Sequence, residues 1–238
     1  MKVESNPLLV ILKMMDAMNV RETNILPEDG GWKFYTMDPA GVSVTTAFMK
    51  PASFPEGESL DGMICVSVPF MLDVLQPNEV CDISVKDGSI IIKYDNAKRS
   101  KRLIEPEEGH RKIPQLEGLS TCVVMSDDII NIAKQKCFDT IKTENGGVTV
   151  TMNETGLVFD ATSEVESAQL SVEGTSVLEE DEEQLAIYAT AVIFPVLKAL
   201  PKNTVTSVMF RTDFPVQINI DNDMYSMDLF IAPMKREE

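Results

Sequence analysis

The chain has 238 residues, 44% of them hydrophobic and 25% charged, and its 21 Lys+Arg against 38 Asp+Glu give a formal net charge of −17. That balance describes a globular protein rather than a disordered or fibrous one, and it argues against a broad basic surface that binds nucleic acid by neutralising phosphates. With no apolar run of roughly 18 residues and no charged-then-apolar leader pattern, the sequence predicts a cytoplasmic protein with no membrane partner.

In chain order, Leu8, Leu9, Ile11, Leu12, Met15 and Met18 recur at helical spacing behind Pro7, with Lys13 and Asp16 opposite, which predicts an amphipathic helix over 8–19. The alternating runs WKFYTM and VSVTTAF follow as strands. A short helix over 69–76 opens on Pro69, and ISVKD and SIIIKY resume the strand pattern. In the second half Ser126 is the expected N-cap of a helix over 126–137, with Asp127 and Asp128 at its positive end. GVTVTM, AQLSVEG and TVTSVMF read as strands, and a last short helix over 195–200 opens on Pro195. The expected fold class is α+β: two short helices on one face of an antiparallel sheet, built twice, in domains 1–106 and 119–238 joined by a polar connector over 107–118.

The two halves match each other. Residues 31–44, GWKFYTMDPAGVSV, align with GGVTVTMNETGLVF over 146–159 at an offset of 115, each reading strand, Asx-x-x-Gly turn, strand. Leu75, Val80, Ile83 and Val85 align with Leu200, Val205, Val208 and Phe210 at 125, IIIKYDN with VQINIDN at 126, and LIEP with FIAP at 127. A drifting offset with conserved order predicts a duplication carrying a few insertions.

Nothing in the chain assembles a reaction centre. The single histidine, His110, sits in the charged loop EPEEGHRKIP, and there is no GxSxG, P-loop or GxGxxG. Cys65, Cys81, Cys122 and Cys137 lack CxxC spacing and read as reduced, mostly buried thiols. Asp221 and Asp223 could hold a divalent metal, but Asp-Asn-Asp between two strand-like runs is hairpin-turn composition. We therefore expect no enzyme, no cofactor and no metal.

Charge is segregated along the chain. Lys98, Arg99, Lys101 and Arg102 make one strand end basic, while Glu164, Glu166 and Glu173 with EEDEE over 179–183 make another stretch acidic. The five-residue run is a solvated loop, whereas strands 97–104 and 167–173 are expected to meet between subunits. The lysines of the predicted helices are Lys13, Lys134, Lys136, Lys198 and Lys202, and if the sheets close into a ring with helices inward these cations gather in its hole.

The segments ILKMMDAM, TMDPAGVSV, KIPQLEG, SDDIINIAKQ, GGVTVTMNETGLVFDA and the C-terminal LFIAPMKREE together resemble a sliding clamp of the proliferating cell nuclear antigen (PCNA) family along essentially the whole chain. The short connector makes it most similar to archaeal members. The resemblance implies a DNA clamp fold in a pseudo-sixfold trimeric ring around duplex DNA, held without sequence preference. It implies further a processivity factor for DNA replication and repair, opened by a clamp loader and tethering DNA polymerase, flap nuclease and DNA ligase through peptide motifs. The ring would be a homotrimer or one chain of a heterotrimer; a clamp-like checkpoint or adaptor scaffold is the alternative. Such a clamp would be cytoplasmic and nucleoid-associated, or nuclear in a eukaryote.

Carried over residue by residue, the resemblance assigns Lys13, Lys134 and Lys198 to the DNA channel, with Lys136 and Lys202 as neighbours. It assigns the partner-peptide pocket to Met37, Gly41, Val42, Val44, Ile113, Pro114, Ala189, Pro215, Ile231, Ala232 and Pro233. Phe230-Ile231 stands where the family usually has Tyr-Leu, and Gly41 where many members carry a larger side chain. The second helix, VPFMLDVLQ, has no lysine and presents Asp73.

Overall fold

The computed structural model describes residues 1–106, 116–135, 146–179 and 182–235. Two compact units divide the chain, Met1–Lys112 with Asp221–Met227, and Ile113–Ile220 with Asp228–Glu238. The first holds β1 (Lys2–Glu4), α1 (Ser5–Ala17), β2 (Glu22–Glu28), β3 (Gly31–Met37), β4 (Ser43–Met49), β5 (Ile64–Ser67), α2 (Val68–Val74), β6 (Val80–Lys86), β7 (Ser89–Tyr94) and β8 (Ala97–Arg102). Its strands lie in the orders β1-β6-β7-β8 and β5-β2-β3-β4. The second holds β9 (Ser120–Met125), α3 (Ser126–Ala133), β10 (Gly147–Asn153), β11 (Gly156–Thr162), β12 (Ser167–Glu173), β13 (Thr175–Val177), β14 (Gln184–Ala189), α4 (Thr190–Ala199), β15 (Val205–Phe210), β16 (Val216–Asp221) and β17 (Tyr225–Ile231). Its orders are β13-β9-β15-β16-β17 and β14-β10-β11-β12. The hairpin tip Asp221–Met227 belongs to the first unit, where the start of β17 lies beside β4 and the Lys50 amide donates to the Met224 carbonyl at 2.8 Å.

The expected α+β duplication is present, and the sheet orders set its register. β5-β2-β3-β4 superposes in order on β14-β10-β11-β12, so β2 is the counterpart of β10 and β3 of β11. The alignment of WKFYTM with GVTVTM is therefore one strand out. The two-residue hairpin that pairs Glu28 with Gly31 corresponds to the one that pairs Asn153 with Gly156, at an offset of 125 that also fits β6 and β15. The error has a physical source. Pro27 lies inside β2 and removes a ladder donor, so ETNILPE does not read as an inner strand. The proline is tolerated because β5 pairs only Glu22–Ile25, leaving Pro27 bonded on one side alone.

A joint at the start of each first helix repeats as well. The Ser5 amide donates to the Glu79 carbonyl at 3.0 Å and the Asn78 amide to Asn6 Oδ1 at 2.8 Å. In the second unit the Ser126 amide donates to the Thr204 carbonyl at 2.9 Å and the Asn203 amide to Asp127 Oδ2 at 2.5 Å. Asn78 and Asn203 both take the left-handed conformation, φ 62° and 54°, which asparagine tolerates better than most residues.

Helix starts differ from expectation. Pro7 is the third residue of α1, where its amide would be unsatisfied in any case. Ser126 is the first helical residue rather than the cap; fully buried, its Oγ donates to the Pro201 carbonyl at 2.5 Å and accepts from the Thr204 amide at 3.2 Å. Pro69 does sit in the first turn of α2. Pro195 does not open α4, which begins at Thr190, where amide and hydroxyl both bond the Gly146 carbonyl at 2.9 Å. The missing Pro195 donor frees the carbonyl of the exposed Ala191 to water.

Each unit has its own core. In the first, Leu8, Ile11, Leu12, Met14 and Met15 of α1 are wholly buried with Trp32 and Phe34 of β3, and α1 packs on α2 and β4. Trp32 meets Phe54 edge-on at 5.1 Å and donates to Glu58 at 3.2 Å. In the second, α3 packs on α4 and β9 over Val148, Phe159, Tyr188 and Phe210. Truncating one such side chain to alanine costs about 2–5 kcal/mol.

Candidate functional site

Lys13 stands on the exposed side of α1 beside buried Leu12 and Met14, and no described ion pair engages it. Its neighbour Asp16 is taken by Arg21 at 3.3 Å. In the second unit Lys134 is the exposed C-cap of α3 and Lys198 lies half-buried in the last turn of α4, both at the negative end of a helix dipole. Lys202 is exposed in the turn after α4, and Lys136 lies outside the described residues.

The lysine-free helix α2 receives its cations from β8. Arg99 Nη2 donates to Asp73 Oδ2 at 3.1 Å, and Lys101 lies 5.6 Å over the Phe70 ring while donating to Ser67 Oγ at 3.1 Å. Register explains this: Arg99 is opposite Ile92 and Lys101 opposite Ile90, both buried, so these two basic side chains share the helix-covered side of the sheet. Lys98, opposite Lys93, and Arg102, opposite Ser89, lie on the other side. The alternation within AKRSKR thus divides the basic patch expected from the sequence between two faces.

β8 and β12 are the outermost strands of their sheets, and every residue of β8 is exposed. The acidic strand is β12, at the expected 167–173, but not all of the expected acids lie on it. Glu164 and Glu166 lie in the turn between β11 and β12, closed by the Ser163 amide donating to the Glu166 carbonyl at 2.8 Å, which leaves Glu173 as the acid on β12. Ala168, Leu170 and Val172 share the face of buried Ala161, Phe159 and Leu157.

The expected peptide-pocket residues fall on both units. In the first, Met37 pairs across the ladder with Val44, Val42 is half-buried, and Gly41 is exposed at φ +70°, its amide bonding the Asp38 carbonyl at 2.9 Å. Val44 is only 7% exposed and belongs to the core. Beside Met37 opens a polar cavity of ≈ 390 Å³ lined by Glu22, Asn24, Asp38 and Glu105, which sequence reasoning missed. In the second unit Ala189, Pro215, Ala232 and Pro233 are half-buried, whereas Ile231 has no exposed surface and belongs to the core rather than to a lining. The Met234 amide fixes this tail to the Ile187 carbonyl at 2.7 Å. Ile113 and Pro114 lie outside the described residues, as do His110 and Cys137.

The 211–215 loop next to Pro215 is held at several points. The Asp213 amide donates to the Leu185 carbonyl at 3.1 Å, the Leu185 amide to Thr212 Oγ1 at 3.3 Å, and the Thr212 amide to Gln184 Oε1 at 3.0 Å. Tyr188 Oη donates to the Phe214 carbonyl at 2.9 Å, and the Arg211 guanidinium lies 3.5 Å above the Phe214 ring.

Burial raises the Cys81 and Cys122 thiols and the Tyr94, Tyr188 and Tyr225 phenols, and nearby Asp213 adds to the rise at Tyr188. Cys65, Cys81 and Cys122 are buried free thiols. Among the described residues no group of three His, Cys, Asp or Glu is spaced to hold a metal, and no helix is long and apolar enough to cross a membrane. Asp221 pairs with Lys50 at 2.6 Å, and Asn222 Oδ1 accepts the Met224 and Tyr225 amides at 2.9 and 3.0 Å, which is a turn.

No family model and no curated protein sequence matches the chain. Solved structures are similar over its length, two PCNAs among them. One is PCNA from A. fulgidus, solved with the C-terminal region of FEN-1 bound, at a TM-score of 0.85 and 17% identity over 100% of this chain and 98% of that chain. The other is Proliferating Cellular Nuclear Antigen from Entamoeba histolytica, at 0.81 and 15% over 98% of each. The chain thus has the α+β PCNA clamp fold, helices on antiparallel sheets, built from two units of one design.

Proposed function

We propose that this protein is a DNA sliding clamp, which does no chemistry and acts by closing into a ring around duplex DNA to tether replication and repair enzymes. The observation that carries the reading is an outermost strand left unpaired in each unit, β8 in the first and β12 in the second, within a clamp fold built twice. Among the described residues both strands have a free edge. A free edge on a long strand demands a partner or protection. Three copies joined β8 to β12 would make three such joins, close a ring and leave neither edge free.

In that ring, clamp domains 1–106 and 119–238 would alternate, and Lys13, Lys134, Lys198 and Lys202 would supply weak, sequence-blind phosphate contacts that permit sliding. Partner enzymes would dock through peptides, as the FEN-1 segment does on A. fulgidus PCNA. Here Ala189, Pro215, Ala232 and Pro233 of the second unit and Met37, Gly41 and Val42 of the first are the surfaces offered. A loader ATPase would open the ring, and a clamp of the archaeal type would work on the nucleoid. Absolute mass in solution tests the assembly: three times 26.4 kDa is expected, and 26.4 kDa at every concentration and salt would refute self-closure.

A further inference from the structure

We infer that Arg211, stacked on Phe214, is a specificity-determining residue that selects partner peptides carrying a carboxylate beside their apolar plug. The inference deepens the docking reading above and rests on it.

The guanidinium lies 3.5 Å over the ring, so one of its faces is covered by Phe214 while its N–H edges point away from that ring. Arg211 itself is exposed, and no described ion pair engages it. A stacked guanidinium is a directional group: its fork matches a carboxylate bidentately, and stacking removes much of the side-chain freedom that otherwise weakens an exposed ion pair. The platform beneath is equally fixed. The Phe214 amide donates to the Arg211 carbonyl at 3.0 Å, closing the turn, and Tyr188 Oη holds the Phe214 carbonyl at 2.9 Å from inside the core. Thr212 is tied to Gln184 through its amide at 3.0 Å and its hydroxyl at 3.2 Å. Five successive residues, Arg211 to Pro215, thus run from the cation to the apolar docking surface with little slack.

Charge complementarity decides the occupant. Pro215 and half-buried Phe214 offer apolar contact for a plug, and the adjoining group is a cation. Asp213 is exposed in the same turn, at φ 57°; its amide donates to the Leu185 carbonyl and its charge helps raise the Tyr188 phenol, whereas the group stacked on the Phe214 ring is the Arg211 cation. A segment with an aromatic-apolar plug and a glutamate or aspartate next to it satisfies both features, and one with a lysine there does not.

The test uses the full-length protein and three synthetic peptides with one aromatic-apolar plug, flanked by glutamate, glutamine or lysine, read by fluorescence anisotropy at low and high salt. Wild type should bind the glutamate peptide about three- to fivefold more tightly than the glutamine peptide at low salt, with the lysine peptide weakest. Arg211→Gln should bind all three alike, Arg211→Glu should invert the order, and Arg211→Lys should keep only part of the preference because it lacks the fork. Equal binding of the three peptides to wild type, or the same order in wild type and Arg211→Glu, would overturn the inference and leave the docking surface standing. Absence of binding by every peptide would instead overturn the docking reading and this inference with it.

Discussion

Arg99 on the outermost strand β8 reaches back across the sheet to Asp73 on α2, its Nη2 3.1 Å from the carboxylate. One contact thereby links the edge proposed to join subunits with the helix that lacks lysine. Both groups are well exposed, 62% and 67%, so the pair adds little to the stability of the isolated chain. Its effect is on position: it fixes where one of the edge's positive charges stands.

We expect Arg99→Glu with Arg102→Glu to weaken self-association, seen as a lower mass by light scattering at fixed concentration, while thermal unfolding of the chain changes by less than about 1 kcal/mol. Adding Glu173→Lys should restore only part of the mass, because Glu173 is the one acid on β12. An unchanged mass in the doubly reversed protein would remove the β8 edge from the interface.

The duplicated joint at Ser126 gives a stability prediction. Ser126→Ala deletes a buried hydroxyl that serves the Pro201 carbonyl and the Thr204 amide together, leaving both without that partner. Urea unfolding should show a loss of about 1–3 kcal/mol. A neutral result would mean that the two groups find other partners.

Where the sequence could be read and where it could not follows from particular residues. The helix faces were legible because apolar spacing in α1 and α3 is unbroken, and β7 and β10 because nothing interrupts their alternation. β2 was hidden by Pro27, whose tolerance depends on how far β5 extends, a fact of pairing and not of composition. That one hidden strand displaced the internal alignment from 125 to 115 over the next strands. Pro195 misled in the same way, since the start of α4 is set by the Gly146 carbonyl, far off in sequence. The basic residues of β8 were legible as charge, but their division between two faces needed the register against Ile90 and Ile92. The Arg211–Phe214 stack has no sequence signature, because its turn is shaped by Gln184, Leu185 and Tyr188.

High pH should destabilise the protein through its buried acids. Cys81 and Cys122, ordinarily 9.0, and Tyr94, Tyr188 and Tyr225, ordinarily 10.0, are all raised by burial, so the folded chain keeps protons that the unfolded chain releases. Their contribution is complete below the unfolded values and is lost as pH rises past them. Melting temperature should fall from about pH 9 upward, and a flat profile to about pH 11 would contradict the burial of these groups.

Docking should depend on the proline surface of the second unit. Pro215→Ala with Pro233→Ala is expected to weaken binding of an aromatic-apolar peptide about tenfold or more with the assembly's mass unchanged. Unaltered affinity would place the docking surface elsewhere on the chain.

Lys13→Glu and Lys198→Glu should each reduce retention on duplex DNA and lower the slope of log affinity against log salt by about 0.9 per lost contact. A slope that does not change would exclude these helices from the DNA path.

Retention on closed circular duplex DNA, compared with the same DNA after a single linearising cut, bears most directly on the central claim. The protein is assembled around the circle, with a clamp loader if spontaneous closure is slow, and washed at high salt. If the chain forms a ring that holds DNA by topology, it stays on the circle through the wash and is lost when the DNA is cut. Equal loss from circle and line, or equal retention on both, would contradict it.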